Sequence, residues 1–127
     1  MKLLLDTNRL SDALAEVDEV IERLESAEAI HVPVIALGEI RSGFAQGRRA
    51  AENEARLQWF LSQNGVNTVG VDVPVSHQYA AIHRALRARG TPIPTNDLWI
   101  AAIALELGLV VYTRDAHFAA VPGIARV

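Results

Sequence analysis

Short apolar runs, none long enough to form a helix, alternate along this sequence with longer stretches of helical periodicity. Residues 2–5 and 109–112 are the clearest runs, and shorter segments at 30–32, 67–71 and 124–127 are also predicted as strands. Parallel strands need crossover connections, which are usually helical, so this alternation predicts an α/β fold. The expected architecture has three layers, α/β/α, around a short and mostly parallel central sheet.

Helices are predicted between these strands from the spacing of apolar residues and from residues that favour helix ends. The predicted ranges are residues 9–14, 16–28, 34–46, 48–64, 75–89 and 98–107. The triplets Asp6-Thr7-Asn8 and Thr95-Asn96-Asp97 are typical of helix starts. No repeat or linker-like stretch divides the sequence, so residues 1–127 are interpreted as a single domain.

Composition excludes several classes of protein. The sequence has no cysteine, so thiolate metal sites and thiol nucleophiles are excluded, and any metal must bind through oxygen or imidazole. No apolar run reaches the ~18 to 20 residues that a membrane span needs, and an acid at position 6 is unlike a signal peptide. We therefore expect a soluble, cytoplasmic protein without a membrane partner.

The basic residues are unevenly distributed. The formal net charge of −3 argues against a protein that binds nucleic acid by overall charge alone. Two groups of arginines are nevertheless present: Arg41, Arg48, Arg49 and Arg56 form one, and Arg84, Arg87 and Arg89 form the other. Each group is either a solvated helix face or a local contact for phosphate.

Four acidic residues are candidates for a common site. Asp6 follows the first predicted strand and Asp115 lies just beyond the 109–112 strand, at the edge where α/β sheets bind ligands. Asp97 lies at the start of the most apolar helix, and Glu39 lies within helix 34–46 among apolar neighbours. We expect the carboxylate of Glu39 to be buried and to need a partner.

Each acid also has a simpler interpretation. Asp6 and Asp97 are able to cap helices, and Asp115 is able to cap a short turn that carries Phe118. Glu39 is able to form an ion pair with Arg41 or Arg114. Of the four histidines, His31, His77 and His83 are interpreted as ordinary helix or strand residues, whereas His117 competes with Asp115 for the same corner.

A divalent cation is the simplest reason to bring these acids together. Carboxylates gathered within ~4 to 6 Å repel one another by several kcal/mol unless protons or cations offset their charge. Oxygen ligands favour Mg²⁺ or Mn²⁺ over Zn²⁺, and such a site suits hydrolysis of a phosphodiester. The hydroxyls of Thr7 and Thr113 are close enough in sequence to Asp6 and Asp115 to hold a carboxylate.

Four segments resemble the motifs of the PIN-domain family, and within it the VapC-like toxin ribonucleases of toxin–antitoxin pairs. The first is residues 4–11, which contain Asp6, and the second is the helical segment Ile35 to Ile40, which contains Glu39. The third is residues 96–102, with Asp97, and the fourth is residues 113–118, with Asp115. Their order and separations make the resemblance specific over essentially the whole chain.

The resemblance implies an endoribonuclease that depends on Mg²⁺, or alternatively Mn²⁺, and hydrolyses RNA with a metal-activated water. It implies that Asp6, Glu39, Asp97 and Asp115 are the catalytic acids, that Asp6 and Asp97 are the central metal ligands, and that Thr7, Asn8 and Thr113 support them. It also implies a homodimer and a cognate VapB-like antitoxin whose tail covers the acidic pocket. Arg9 departs from the family pattern, and its charge is expected to pair with Asp6 or to reach substrate phosphate.

Other functions stay open at this point. A phospho-receiver domain also gathers acids and Mg²⁺ at a sheet edge, but it needs a late lysine, and the only lysine here is Lys2. A solitary PIN-type RNA-processing nuclease and a catalytically inactive PIN-like binding module would keep the same fold. A metal-dependent phosphatase or a DNA flap nuclease would use similar ligands.

Overall fold

The computed structural model describes residues 1–127 and contains the alternation of strands and helices that the sequence predicts. In chain order the elements are β1 (Lys2–Leu5), α1 (Thr7–Leu14), α2 (Asp18–Glu25), β2 (Ala29–Pro33), α3 (Val34–Ala45), α4 (Ala50–Leu61), β3 (Val66–Val69), α5 (Val73–Arg89), α6 (Thr95–Leu107), β4 (Val110–Tyr112) and a final 3-10 helix (Ala116–Ala120). No helix is both long and apolar enough to span a lipid bilayer.

The four strands form one sheet in the order β3-β2-β1-β4, and every neighbouring pair is parallel. Strand β1 lies inside the sheet, with Leu5 in register with Tyr112 of β4. The residues that follow this pair, Asp6 and Thr113, therefore leave the sheet side by side at its carboxyl edge. This register positions the first part of the functional site.

The two faces of the sheet bury separate cores, as alternating side-chain directions along β1 require. Leu4 packs with α5, α6 and the 3-10 helix, where Phe118 is fully buried. Leu3 and Leu5 pack on the other face against helices α1 to α4. Helices therefore cover both faces, and the predicted α/β/α architecture is confirmed.

Two predicted elements are wrong in extent, and the others differ only slightly at their ends. The helix predicted at 16–28 is α2, residues 18–25, because the backbone turns at Glu16, which has a φ of 56°. The strand predicted at 124–127 is a single parallel bridge between Val111 and Arg126. Gly123, with a φ of 74°, turns the chain so late that only residues 125–127 exchange backbone hydrogen bonds with β4 and with the residue after it.

Candidate active site

The four predicted acids line one cleft at the carboxyl edge of the sheet. This acidic cleft has a volume of about 400 Å³ and is lined by Asp6, Thr7, Asn8, Glu39, Pro94, Thr95, Asn96, Asp97, Asp115 and His117. The acids come from the ends of β1 and β4, from the middle of α3 and from the first turn of α6. Residues far apart in sequence are thus brought together in a polar site.

Asp6 is almost fully buried, at 3% exposure, and both of its oxygens accept hydrogen bonds. Oδ1 accepts from the backbone N–H of Arg9 at 2.9 Å, which makes Asp6 the N-cap of α1. Oδ2 accepts from the Thr113 hydroxyl at 2.5 Å, and the same hydroxyl oxygen accepts from the backbone N–H of Asp115 at 2.9 Å. Burial nevertheless raises the pKa of Asp6, because these hydrogen bonds only partly offset the loss of water.

Asp97 lies in the first turn of α6, where the sequence also allowed a helix cap. The structure contradicts that simpler interpretation, because Pro94 is the N-cap and no side chain caps the helix. Asp97 instead accepts a hydrogen bond from Nδ1 of His117 at 3.0 Å. The side chain of Asp97 is therefore not needed to start the helix and is available for a function in the cleft.

Burial also raises the pKa of Asp97. The negative charges of Asp115 and Glu39 add to this effect, whereas the hydrogen bond from His117 opposes it. Two of the acids in the cleft therefore hold their negative charge less readily than an exposed aspartate would.

Asp115 is the N-cap of the 3-10 helix, as its simpler interpretation predicts. Its Oδ1 accepts from the backbone N–H of His117 at 2.9 Å and lies 3.1 Å from Nδ1 of the same residue. Ionised carboxylates only accept hydrogen bonds, so Nδ1 of His117 is the donor to Asp97 and Asp115 when both acids are ionised. The imidazole thus bridges two acids across the cleft.

Glu39 is exposed, so the prediction that its carboxylate is buried is wrong. The buried side of α3 is formed by Ala36, Leu37 and Ile40, and Glu39 lies on the side of the helix that faces the cleft. Its Oε1 accepts a hydrogen bond from the Thr7 hydroxyl at 2.7 Å.

The predicted ion pair of Glu39 is also wrong, because both candidate partners bind other acids. Arg41 pairs with Glu54 at 2.7 Å, and Arg114 pairs with Asp12 at 3.2 Å. No arginine therefore neutralises Glu39 within the acidic cleft.

Arg9 does not line the cleft and forms no ion pair with Asp6, so the expected pairing is wrong. Its guanidinium lies 4.4 Å above the ring of Tyr112 and pairs with Asp12 and Glu19 at 3.4 and 3.5 Å. Only the backbone N–H of Arg9 donates a hydrogen bond to the Asp6 side chain, and the positive charge of its guanidinium acts from a longer distance to lower the pKa of Asp6. The guanidinium is held in these contacts and is absent from the cleft lining, so it is not placed to meet substrate phosphate there.

His117 is the one ionisable residue of the cleft that the predicted site set leaves out, and the uncharged Pro94, Thr95 and Asn96 are also outside that set. Ligand atoms of Asp97, Asp115 and His117 lie within 4.8 Å of one another, a spacing that could hold a metal ion. The sequence does contain a signal for His117, which is its spacing of two residues from Asp115. A tight turn after Asp115 brings the two side chains close together. This donor set, rich in carboxylate oxygen and free of sulfur, fits Mg²⁺ or Mn²⁺.

Comparisons with known proteins indicate the family and the fold. Residues 3–124 match the PIN domain family. Ribonuclease VapC4 of Mycobacterium tuberculosis is 34% identical over 93 residues, which are 73% of this chain and 72% of that protein.

Solved structures show the same fold. The DNA-bound VapBC of Salmonella typhimurium has a TM-score of 0.90 and 26% identity, covering 100% of this chain and 97% of that one. VapBC-5 of Mycobacterium tuberculosis, a member of the VapBC family of toxin-antitoxin systems, has a TM-score of 0.72 and 30% identity, covering 99% and 98%. The chain belongs to the PIN domain family and is similar to the VapC-like toxins within it.

Proposed function

We propose that the chain is an Mg²⁺- or Mn²⁺-dependent endoribonuclease and the toxin of a toxin–antitoxin pair. The observation that carries this proposal is the convergence of Asp6, Glu39, Asp97 and Asp115 on one cleft that also holds hydroxyl and imidazole groups. Similarity to a protein named as a VapC ribonuclease supports RNA as the substrate.

Asp6 and Asp97 are the proposed metal ligands. Ligand atoms of Asp115 and His117 lie within 4.8 Å of that of Asp97, and Glu39 lines the same cleft. Burial raises the pKa of both Asp6 and Asp97, so a site of this kind is stabilised when a cation offsets the negative charge. A divalent cation, when bound, would lower the pKa of a water and neutralise charge that develops on the phosphate.

The reaction proposed is hydrolysis of a phosphodiester bond. Water oxygen bonds to phosphorus, the bond from phosphorus to the 3′ oxygen breaks, and the 3′ oxygen receives a proton. The products are a 5′-phosphate and a 3′-hydroxyl. The chain's own groups hold the acids in place, because Thr7 fixes Glu39, Thr113 fixes Asp6, and His117 reduces the repulsion between Asp97 and Asp115.

The similarity to toxin–antitoxin proteins also supports a protein partner for this chain. A structure described as a member of the VapBC family of toxin-antitoxin systems supports a VapB-like antitoxin as the partner of this chain. We further propose that the chain is a homodimer, that it acts in the cytoplasm, and that the antitoxin covers the acidic cleft.

The first experiment measures cleavage by the purified chain. Single-stranded RNA, single-stranded DNA and duplex DNA are incubated with Mg²⁺, with Mn²⁺ or with EDTA. We expect cleavage of RNA alone, only with a divalent cation, and 5′-phosphate ends on the products. Asp97→Asn should abolish cleavage, because it removes a proposed metal ligand while its side chain keeps nearly the same size.

Asp18→Asn is the matched control, since Asp18 is an exposed acid of α2 outside the cleft. It should cleave like the wild type. Undiminished cleavage by Asp97→Asn would contradict the metal assignment, and RNA cleavage in EDTA would contradict the cation requirement. RNA binding without any cleavage would favour an inactive PIN-like binding module.

The antitoxin is tested separately by co-expression with the product of the neighbouring gene. We expect a complex that survives purification and in which RNA cleavage is suppressed. A chain that cleaves RNA but has no such neighbour would be a solitary RNA-processing nuclease.

A further inference from the structure

A second cleft adjoins the acidic cleft on the α5 side. This aromatic cleft has a volume of about 330 Å³, and its lining includes Tyr79, His83, Arg87, Ile93, Thr95 and Leu98. It lies between α5, the start of α6 and the segment that connects them. Thr95 lines both clefts, so the two clefts are neighbours at the start of α6.

Two residues that line this cleft, Tyr79 and His83, belong to a stack of three rings, whose third member, Trp99, lies outside the lining. The ring of Tyr79 lies 4.0 Å from that of Trp99 at an angle of 26°, and 6.1 Å from that of His83 at an angle of 6°. Tyr79 and Trp99 are half-buried and packed against the core, whereas His83 is exposed. The stack is therefore anchored at one end and open to solvent at the other.

The cleft also carries an arginine that has no acidic partner in the chain. Arg87 lines the cleft, and neither it nor its neighbours Arg84 and Arg89 lie within ion-pair distance of a carboxylate. The sequence explains this, because α5 contains no aspartate or glutamate that could pair along the helix. By contrast, Arg41 and Arg56 are both paired with glutamates.

We infer that the aromatic cleft binds one nucleotide of single-stranded RNA, next to the nucleotide whose phosphodiester bond lies in the acidic cleft. The base stacks on the exposed ring of His83 beside Tyr79, and a backbone phosphate contacts Arg87. Aromatic stacking accepts any base, and a planar guanidinium binds phosphate through paired hydrogen bonds. This inference rests on the proposed ribonuclease function and adds a substrate-positioning site to it.

RNA binding without cleavage tests the inference. All variants are made in the Asp97→Asn background, and fluorescence anisotropy measures binding of a labelled short single-stranded RNA and of an abasic oligonucleotide of equal length. His83→Ala should weaken binding of the RNA about tenfold and leave binding of the abasic oligonucleotide unchanged. His83→Phe should retain RNA binding, because its ring keeps the stacking surface. Arg87→Ala should weaken binding of both oligonucleotides.

The matched controls lie on the same helix outside the aromatic cleft. His77→Ala should bind RNA like the parent, and Arg89→Ala should lose less affinity than Arg87→Ala. Equal affinities for His83→Ala and His77→Ala would overturn the inference. So would an altered oligomeric state of His83→Ala or Arg87→Ala on size-exclusion chromatography with unchanged RNA affinity, since the cleft would then be a contact between copies of the chain.

The two proposals fail in different ways. If the wild type cleaves RNA but the cleft variants bind RNA like their controls, only the nucleotide site is wrong. If the wild type neither cleaves nor binds RNA, the ribonuclease function is wrong, and the nucleotide site is wrong with it.

Discussion

Asp6 is both a helix cap and a proposed metal ligand, because its two oxygens face different groups. Oδ1 satisfies a backbone N–H at the start of α1, and Oδ2 accepts from Thr113 next to the acidic cleft. The sequence pattern presents capping and catalysis as alternatives, yet this geometry allows both. Asp97 differs, since it caps nothing, so a substitution there should affect activity more than folding.

Thr113→Val is expected to destabilise the fold. The substitution keeps the shape of a buried side chain but removes a hydroxyl that donates to Asp6 and accepts from the backbone N–H of Asp115. Because it leaves buried polar groups without partners, the free energy of unfolding should fall by about 1 to 3 kcal/mol. Urea denaturation at neutral pH measures this change.

Thr7→Val provides the control, because the Thr7 hydroxyl bonds to the exposed Glu39. Water can replace that hydrogen bond, so its loss should cost less than the loss of the Thr113 hydroxyl. An equal effect of the two substitutions would show that burial does not distinguish these threonines.

Glu39 and His117 show which properties of a site residue can be predicted from sequence and which cannot. The residue types and spacing are enough to nominate Glu39 as a site residue. Whether its position on α3 faces the core or the cleft depends on how α3 packs, and local sequence does not specify that. His117 reaches Asp97 only because the 3-10 helix and the start of α6 meet, which is a tertiary contact.

At the scale of elements, the strands and helices were predictable but their neighbours in the sheet were not. Residues 2–5 and 109–112 are apolar and bounded by polar residues, so local pattern identifies both as strands. Their adjacency, which brings Asp6 beside Thr113, depends on packing across most of the chain. The 124–127 segment has a strand-like composition, but it forms only a single bridge.

Gly108→Ala is expected to destabilise the junction between α6 and β4. Gly108 ends α6 in the left-handed conformation, with a φ of 66°, and an added Cβ would have open space around it. The cost is therefore backbone strain, about 1 to 2 kcal/mol. Thermal denaturation should show a lower Tm, while cleavage measured well below that Tm should be unchanged.

Gly43→Ala is the matched control, because Gly43 lies inside α3 and an added Cβ would also meet no atom within 4 Å. Alanine favours a helix over glycine by roughly 0.5 to 1 kcal/mol, so this variant should be more stable than the wild type. If the two substitutions change stability in opposite directions, backbone conformation and not packing determines the effect of an added Cβ. Changes in the same direction would contradict this explanation of the Gly108→Ala effect.

At the scale of the whole molecule, the acidic cleft lies at the edge of the sheet, and hydrophobic cores on both faces of the sheet hold that edge in place. Leu4 supports one face of the sheet, Leu3 and Leu5 support the other, and Asp6 follows immediately at the shared edge. The fold thus holds the acids close together even though their repulsion opposes it. Stability and function should therefore be linked through pH and the divalent cation.

The contribution of Asp6 and Asp97 to the stability of the cation-free protein should fall as pH rises through their pKa values. Both values are raised in the folded state, so the folded chain binds protons more tightly than the unfolded chain, whose aspartates titrate near pH 3.9. The stabilisation from these groups is complete below about pH 3.9 and is lost as pH rises through their folded pKa values. Because other acids also titrate, the informative quantity is the difference in Tm between Asp97→Asn and the wild type. In EDTA this difference should become more favourable to the variant from about pH 4 to about pH 8.

Magnesium should oppose this trend, because a cation that binds the ionised carboxylates of the folded chain stabilises that state, and the stabilisation grows with the ratio of cation concentration to Kd. At about pH 8, excess Mg²⁺ should raise the Tm of the wild type more than that of Asp97→Asn, and at about pH 4 the gain should disappear as the ligands become protonated. Differential scanning fluorimetry with and without Mg²⁺ measures both trends. An equal gain for the two proteins would mean that Mg²⁺ stabilises the fold from elsewhere on the surface, and that Asp97 is not a ligand.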